Sequence, residues 1–166
     1  GSLTERVLIA TGLGTGATDV GAILPLAYVP ETDTVSVIYR LANGLLWERR
    51  VPRAGAPSAP VRVSDRAVAQ SVVDSDQATA DVVVDGTTVH VLFVDQASGA
   101  IYTTHSKAGA AWTIPALVRD GINASWLRGQ PVRRTDGARV YGFVFDAGSK
   151  GGSGMNRYLE RPLVSR

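Results

Sequence analysis

Asp85-Gly86-Thr87-Thr88-Val89-His90-Val91-Leu92-Phe93-Val94-Asp95-Gln96-Ala97-Ser98-Gly99-Ala100-Ile101-Tyr102-Thr103-Thr104-His105 is the stretch that decides the fold. It opens on a glycine-bearing tight turn and continues through a β-branched and aromatic run. It turns again over Asp95–Gly99 and returns along an alternating strand. The first of these strands is apolar at almost every position, as a strand buried on both faces should be. Trp112 follows, and then a Pro-x-x-Val segment at Pro115–Val118.

The same order occurs upstream. Glu31-Thr32-Asp33-Thr34 leads into Val35-Ser36-Val37-Ile38-Tyr39, Asn43-Gly44 turns the chain, Leu45-Leu46-Trp47-Glu48-Arg49 returns, and Pro60–Asp65 repeats Pro115–Asp120. Val35 to Val89 is an offset of 54, and Trp47 to Tyr102, Pro60 to Pro115 and Asp65 to Asp120 are each 55. A third copy runs through Asp136-Gly137-Ala138-Arg139-Val140, at an offset of 51 from Asp85–Val89, then Tyr141–Asp146 and Met155–Glu160. A further strand precedes each copy, at Leu24–Val29, Ala80–Val84 and Pro131–Arg134. No segment carries a 3.6-residue apolar period, so helices are not expected.

Four short strands per repeat, at a period near 50 residues, are the signature of a propeller blade. The expected fold is therefore all-β, with three blades of four antiparallel strands over 24–65, 80–120 and 131–166. The third copy lacks its fourth strand, and Arg6–Gly12 resembles one, so that N-terminal strand is expected to complete the last blade. Propellers typically have four to eight blades. Three blades are thus read as half of a six-bladed ring, closed by a second copy of the chain or by a complementary propeller half.

Val89–Asp95, Gly99, Tyr102 and Trp112-Thr113-Ile114-Pro115 resemble the sialidase-like (BNR repeat) propellers, and the blade pattern is similar to that of lectin propellers. The likeness covers nearly the whole chain. The Asp box of those sialidases reads Ser-x-Asp-x-Gly-x-x-Trp. In the corresponding segment, His105–Trp112, Gly109 and Trp112 fit, and Lys107 stands where the box has its Asp. The Arg-Ile-Pro segment that carries the first substrate arginine of sialidases is absent. Glu occurs only at 5, 31, 48 and 160, and Glu48 and Glu160 are expected to pair with Arg50 and Arg161. The resemblance thus implies a propeller without the catalytic set, and no catalytic residue is assigned.

The composition narrows the function classes. The 166 residues are 45% hydrophobic and 19% charged, which is globular. The net charge of +2 includes no basic run longer than a pair, so a nucleic-acid partner is not expected. Cysteine is absent, which excludes disulfides, thiolate zinc sites and thiol catalysis. No apolar run reaches the ~20 residues of a membrane-spanning helix. Gly1-Ser2-Leu3 reads as a cloning remnant, with a secretion signal or another domain expected upstream in the natural protein, and the protein is expected outside the cell or on its surface. Gly12–Gly16 lacks the Lys-Ser/Thr of a phosphate loop, and no cofactor is expected. His90 and His105 are read as structural or surface histidines, Asp74-Ser75-Asp76 as a solvated turn, and no metal site is expected.

The resemblance implies a ligand face at the end of the blades that carries the second-to-third and fourth-to-first connections. The former contribute Arg40, Asn43, Asp95, Gln96 and Asp146, and the latter Asp74, Asp76, Asn123, Trp126 and Arg128. Trp126-Leu127-Arg128 is read as part of an irregular loop. A sugar offers an apolar face to an aromatic ring and a hydroxyl rim to Asp, Asn and Arg, so these residues form the candidate glycan site. Packing between blades is the competing role for Trp126. Trp47, Tyr102 and Tyr158, at equivalent third-strand positions, are expected in the core. The expected function is carbohydrate binding. The alternatives are a subunit of a sialidase-like or other glycoside hydrolase, or a scaffold without a ligand.

Overall fold

The computed structural model describes residues 26–69, 79–120, 124, 126–147 and 155–163. These form an all-β protein of three antiparallel sheets. The first contains β1 (Leu26–Val29), β2 (Thr34–Arg40), β3 (Leu45–Pro52) and β4 (Val61–Ala67). The second contains β5 (Ala80–Asp85), β6 (Thr88–Val94), β7 (Ile101–Lys107) and β8 (Ala116–Arg119). The third contains β9 (Leu127–Arg133), β10 (Arg139–Ala147) and β11 (Met155–Pro162). Within each sheet the strands lie side by side in chain order. A 3-10 turn at Pro30–Thr32 joins β1 to β2, and among the described residues no helix is long and apolar enough to cross a membrane.

The turns fix the registers. Gly86 adopts a φ of 55°, which places Asp85 opposite Thr88 across a two-residue loop. Gly44, at a φ of 84°, closes the β2–β3 turn, and Asn43 Oδ1 accepts a hydrogen bond from the Leu45 N–H at 3.1 Å. All seven residues of β6 are buried, as its near-continuous apolar run requires. Ile38, Val63, Val91 and Phe93 form one core between the first two sheets, and Leu92, Ile101, Leu127, Phe143 and Phe145 form another between the second and third. Burying each of these larger side chains contributes roughly 1.5–3 kcal/mol. β5 lies beside both β1 and β9, so the first strands of successive sheets are neighbours.

Several local expectations are corrected. β9 begins at Leu127 and not at Pro131, so Leu127 and Arg128 belong to a strand and not to an irregular loop. Gly129 and Pro131 hide this strand in the sequence. β9 is an edge strand, where Pro131 is tolerated, and the Tyr141 ring occupies the space where a Cβ on Gly129 would lie. β4 runs to Ala67, past the expected end of the first blade at Asp65. Tyr158 is exposed on the edge strand β11, unlike the half-buried Trp47 and Tyr102. Glu160 pairs with Arg134 at 3.5 Å and not with Arg161. The expected N-terminal strand at Arg6–Gly12 lies outside the described residues.

Candidate functional site

At the ends of the sheets that carry the β2–β3, β6–β7 and β10–β11 connections, backbone hydrogen bonds form a rim that joins the first two sheets, the segment after β8 to the β6–β7 turn, and the end of β10 to the start of β9. Val68 N–H donates to Gly44 O at 2.8 Å, Gln96 N–H to Ala67 O at 2.9 Å, and Ala69 N–H to Val94 O at 2.8 Å. Ala124 N–H donates to Gly99 O at 3.0 Å, and Asp146 N–H to Trp126 O at 3.4 Å. Of the described residues of the expected ligand face, Arg40, Asn43, Asp95, Gln96, Trp126 and Asp146 lie at or beside these contacts, and Arg128 lies within β9, opposite Val144.

Their roles differ. Arg40 is buried and its Nε donates to Val68 O at 3.1 Å, so it holds the rim together. Asp95 is buried and folds its own turn, accepting from Ser98 N–H at 3.0 Å and Ser98 Oγ at 2.6 Å. Its other oxygen faces Arg66 at 3.4 Å, and that guanidinium sits 4.1 Å from the Tyr102 ring centre. Asp146 is buried at the end of β10. Asn43, Gln96 and Arg128 are exposed, and Trp126 is half-buried where the chain enters β9. Gln96 lies close to Gly44 and Arg40, whereas Trp126, Arg128 and Asp146 gather at the third sheet. Asp74, Asp76 and Asn123 lie outside the described residues.

A second feature lies in the seams between the sheets. The seam between the first and second sheets centres on Glu48 in β3, whose carboxylate is buried. It accepts hydrogen bonds from Ser36 Oγ at 2.6 Å, Arg50 Nε at 3.0 Å, Arg50 Nη2 at 2.6 Å and Trp112 Nε1 at 3.0 Å. Arg50 also donates from Nη1 to Gly109 O at 2.7 Å, which fastens the first sheet to the second. The remaining space beside this network is about 200 Å³.

The seam between the second and third sheets holds a cavity of about 420 Å³, within the range of small-molecule sites. Leu92, Ile114, Pro162 and Leu163 supply apolar walls, and His90, His105, Tyr141 and Arg161 also line it. β6 and β7 set His90 opposite His105, with ring centres 5.5 Å apart. Among the described residues, His90 Nε2 and the Tyr141 hydroxyl are buried without a hydrogen-bond partner. Burial, then the neighbouring His105, push the His90 imidazole down to about 4, against an opposing pull from Asp85. Burial, then the charge of Asp81, hold the Tyr141 phenol well above its usual value. Both groups are therefore neutral at physiological pH. Among the described residues, no group of three or more acids and histidines is placed to hold a metal ion.

Sequence reading treats the histidines as structural or surface residues, gives Tyr141 no role and Arg161 only an ion pair with Glu160. The cavity arises where two sheets meet, and contacts between sheets leave no periodic mark on the chain. The one available signal is the repeat itself, which aligns His90 and His105 with Ser36 and Arg50. No protein-family model matches the chain, and no curated protein matches it either.

Proposed function

We propose that this chain is an extracellular carbohydrate-binding β-propeller module, its three sheets acting as blades and a second copy completing a six-bladed ring. The observation that carries this reading is the rim: five backbone hydrogen bonds run between elements at one end of the three sheets. The adjacency of β1, β5 and β9 is what first strands around a shared axis would have, which also favours blades. An edge such as that of β11 is a natural place for a strand from a second copy to pair.

Exposed Asn43, Gln96 and Arg128 offer hydrogen-bonding groups to sugar hydroxyls, and half-buried Trp126 offers a ring face. Arg40, Asp95 and Asp146 support the rim from beneath and are not expected to touch the ligand. A glycan array probed with the purified chain tests the proposal. Specific binding that falls about tenfold or more in Trp126→Ala is expected, in line with the loss of an aromatic anchor. Absence of glycan binding, or binding untouched by Trp126→Ala together with Gln96→Ala, contradicts it.

A further inference from the structure

The third strands of the first two sheets are held on their outer side in the same way. In β2 and β3, Ser36 faces Arg50 and Ile38 faces Glu48. In β6 and β7, His90 faces His105 and Leu92 faces Thr103, whose hydroxyl donates to Val91 O at 3.2 Å. Arg50 and His105 thus hold equivalent positions, and each meets one hydroxyl residue of the segment leading into the fourth strand. Ser58 N–H donates to Arg50 O at 2.8 Å, and Ser58 Oγ accepts from Arg50 N–H at 3.0 Å. Thr113 N–H donates to His105 O at 3.0 Å, and Thr113 Oγ1 accepts from His105 N–H at 3.1 Å. Five residues further on in each segment, Val63 is buried and Val118 packs against the core of its seam.

In the third sheet Gly142 faces Glu160 and Val144 faces Tyr158. Val94 N–H donates to Thr79 O as Asp146 N–H does to Trp126 O, so Gly142 matches His90 and Glu160 stands where Arg50 and His105 do. Gly129, opposite Phe143, turns its N–H away from β10 to Asp81 Oδ2 at 2.6 Å. By the alternation of antiparallel pairs, Gly142 and Glu160 therefore do not bond each other, and the Glu160 N–H and C=O point out from the edge of β11. Among the described residues no strand pairs with that edge. Val144 and Tyr158 are exposed, whereas Ile38, Leu92 and Glu48 at equivalent positions are covered by the next sheet.

A further segment of this kind is Thr4–Ile9, outside the described residues. Thr4 precedes Ser58 by 54 residues, as Ser58 precedes Thr113 by 55, and Ile9 follows Thr4 at the spacing of Val63 and Val118. Arg6 stands where the other two segments have Pro60 and Pro115. We propose that Thr4–Ile9 of a second copy adds to the β11 edge as its fourth strand, with Thr4 bonding both the N–H and the C=O of Glu160. Glu48 lies opposite Val61 and Thr103 opposite Ala116, so the same register sets Val7 opposite Tyr158 and Leu8 opposite Arg157. In the chain the segment precedes β1 as β4 precedes β5 and β8 precedes β9. It therefore belongs to the sheet that packs ahead of the first, and the third sheet of another copy, with its exposed Val144 and Tyr158, fills that place. This pairing rests on the reading that a second copy completes the ring, and it names the residues that join the two.

The chain has no cysteine, so engineered pairs read the contact directly. Arg157 is exposed, and in this register it forms a non-hydrogen-bonded pair with Leu8, whose Cα spacing of ~4.5 Å suits a disulfide. Full-length Leu8→Cys and Arg157→Cys chains, mixed at low concentration and then concentrated, should give a disulfide-linked dimer on oxidation, and neither alone should. Val7→Cys mixed with Arg157→Cys puts the two thiols on opposite faces and should give about tenfold less. Thr4→Val removes the hydroxyl and should weaken the dimer about tenfold in sedimentation, because two such contacts are lost per dimer, whereas Thr4→Ser keeps it. A dimer that does not cross-link in the mixture, or that is indifferent to Thr4→Val, overturns the inference and leaves ring completion standing. Cross-linking of a Leu8→Cys/Arg157→Cys double variant within one monomer also overturns it, and a chain that is monomeric throughout overturns both. If a cysteine variant does not fold, the comparison of Thr4→Val with Thr4→Ser decides.

Discussion

Between the first two sheets a buried carboxylate meets its donors within the protein, and between the second and third the corresponding positions surround open space. The backbone is the same in both places: two antiparallel strands in matched register, with side chains projecting toward the next sheet. Three substitutions within that frame separate a closed seam from an open one. Ser36, Glu48 and Arg50 satisfy one another and recruit Trp112 from the next sheet. His90, Thr103 and His105 leave a cavity that Tyr141 and Arg161 complete from the other side. A repeat protein can thus keep its turns and core while turning one of its joints from structural cement into a pocket.

The largest expected effect lies in the closed seam. Glu48→Ala removes the acceptor of Ser36, Arg50 and Trp112 together. It should cost about 3 kcal/mol of unfolding free energy, since breaking a buried charge network strands its partners. Thr103→Ala, at the equivalent position, should cost about 1 kcal/mol, the worth of one hydrogen bond. Urea denaturation of both variants sets the values side by side. Equal losses would break the comparison.

A smaller effect concerns pH and the open seam. The His90 pKa is depressed in the folded protein relative to an unfolded value of about 6.5, so the unfolded chain takes up the proton first. The stability associated with neutral His90 is full above that value and is lost as pH falls toward about 4. Allowing for its contact with the cavity, the loss is about 2 kcal/mol. His90→Gln should flatten the stability profile across that window, as read from denaturation midpoints at successive pH values. An unchanged slope would mean that His90 meets solvent more freely than the seam geometry implies.

How far the sequence reveals this molecule depends on whether the information is local. Asp85–His105 declares two strands and two turns because glycines and apolar alternation act within a few residues, and β5, β6 and β7 lie where that pattern puts them. β9 escapes notice because Gly129 and Pro131 look like breakers, and only the packing of Tyr141 on Gly129 explains why a glycine sits there. The rim residues are legible as residues at one end of the sheets, but their roles are not. Arg40 and Asp95 look like ligand groups until their backbone and turn partners are seen. The open seam is the least legible feature, because Leu92, Tyr141 and Arg161 meet only when sheets pack. Even so, the offsets of 54 and 55 residues already align His90 with Ser36 and His105 with Arg50.

The proposed ring distinguishes the third sheet, with β11 at its edge, from the two four-stranded sheets that precede it. Its most direct test is the solution mass of the purified chain by sedimentation equilibrium. Ring completion by a second copy predicts a single folded species at twice 17.5 kDa. A folded monomer at 17.5 kDa would contradict it.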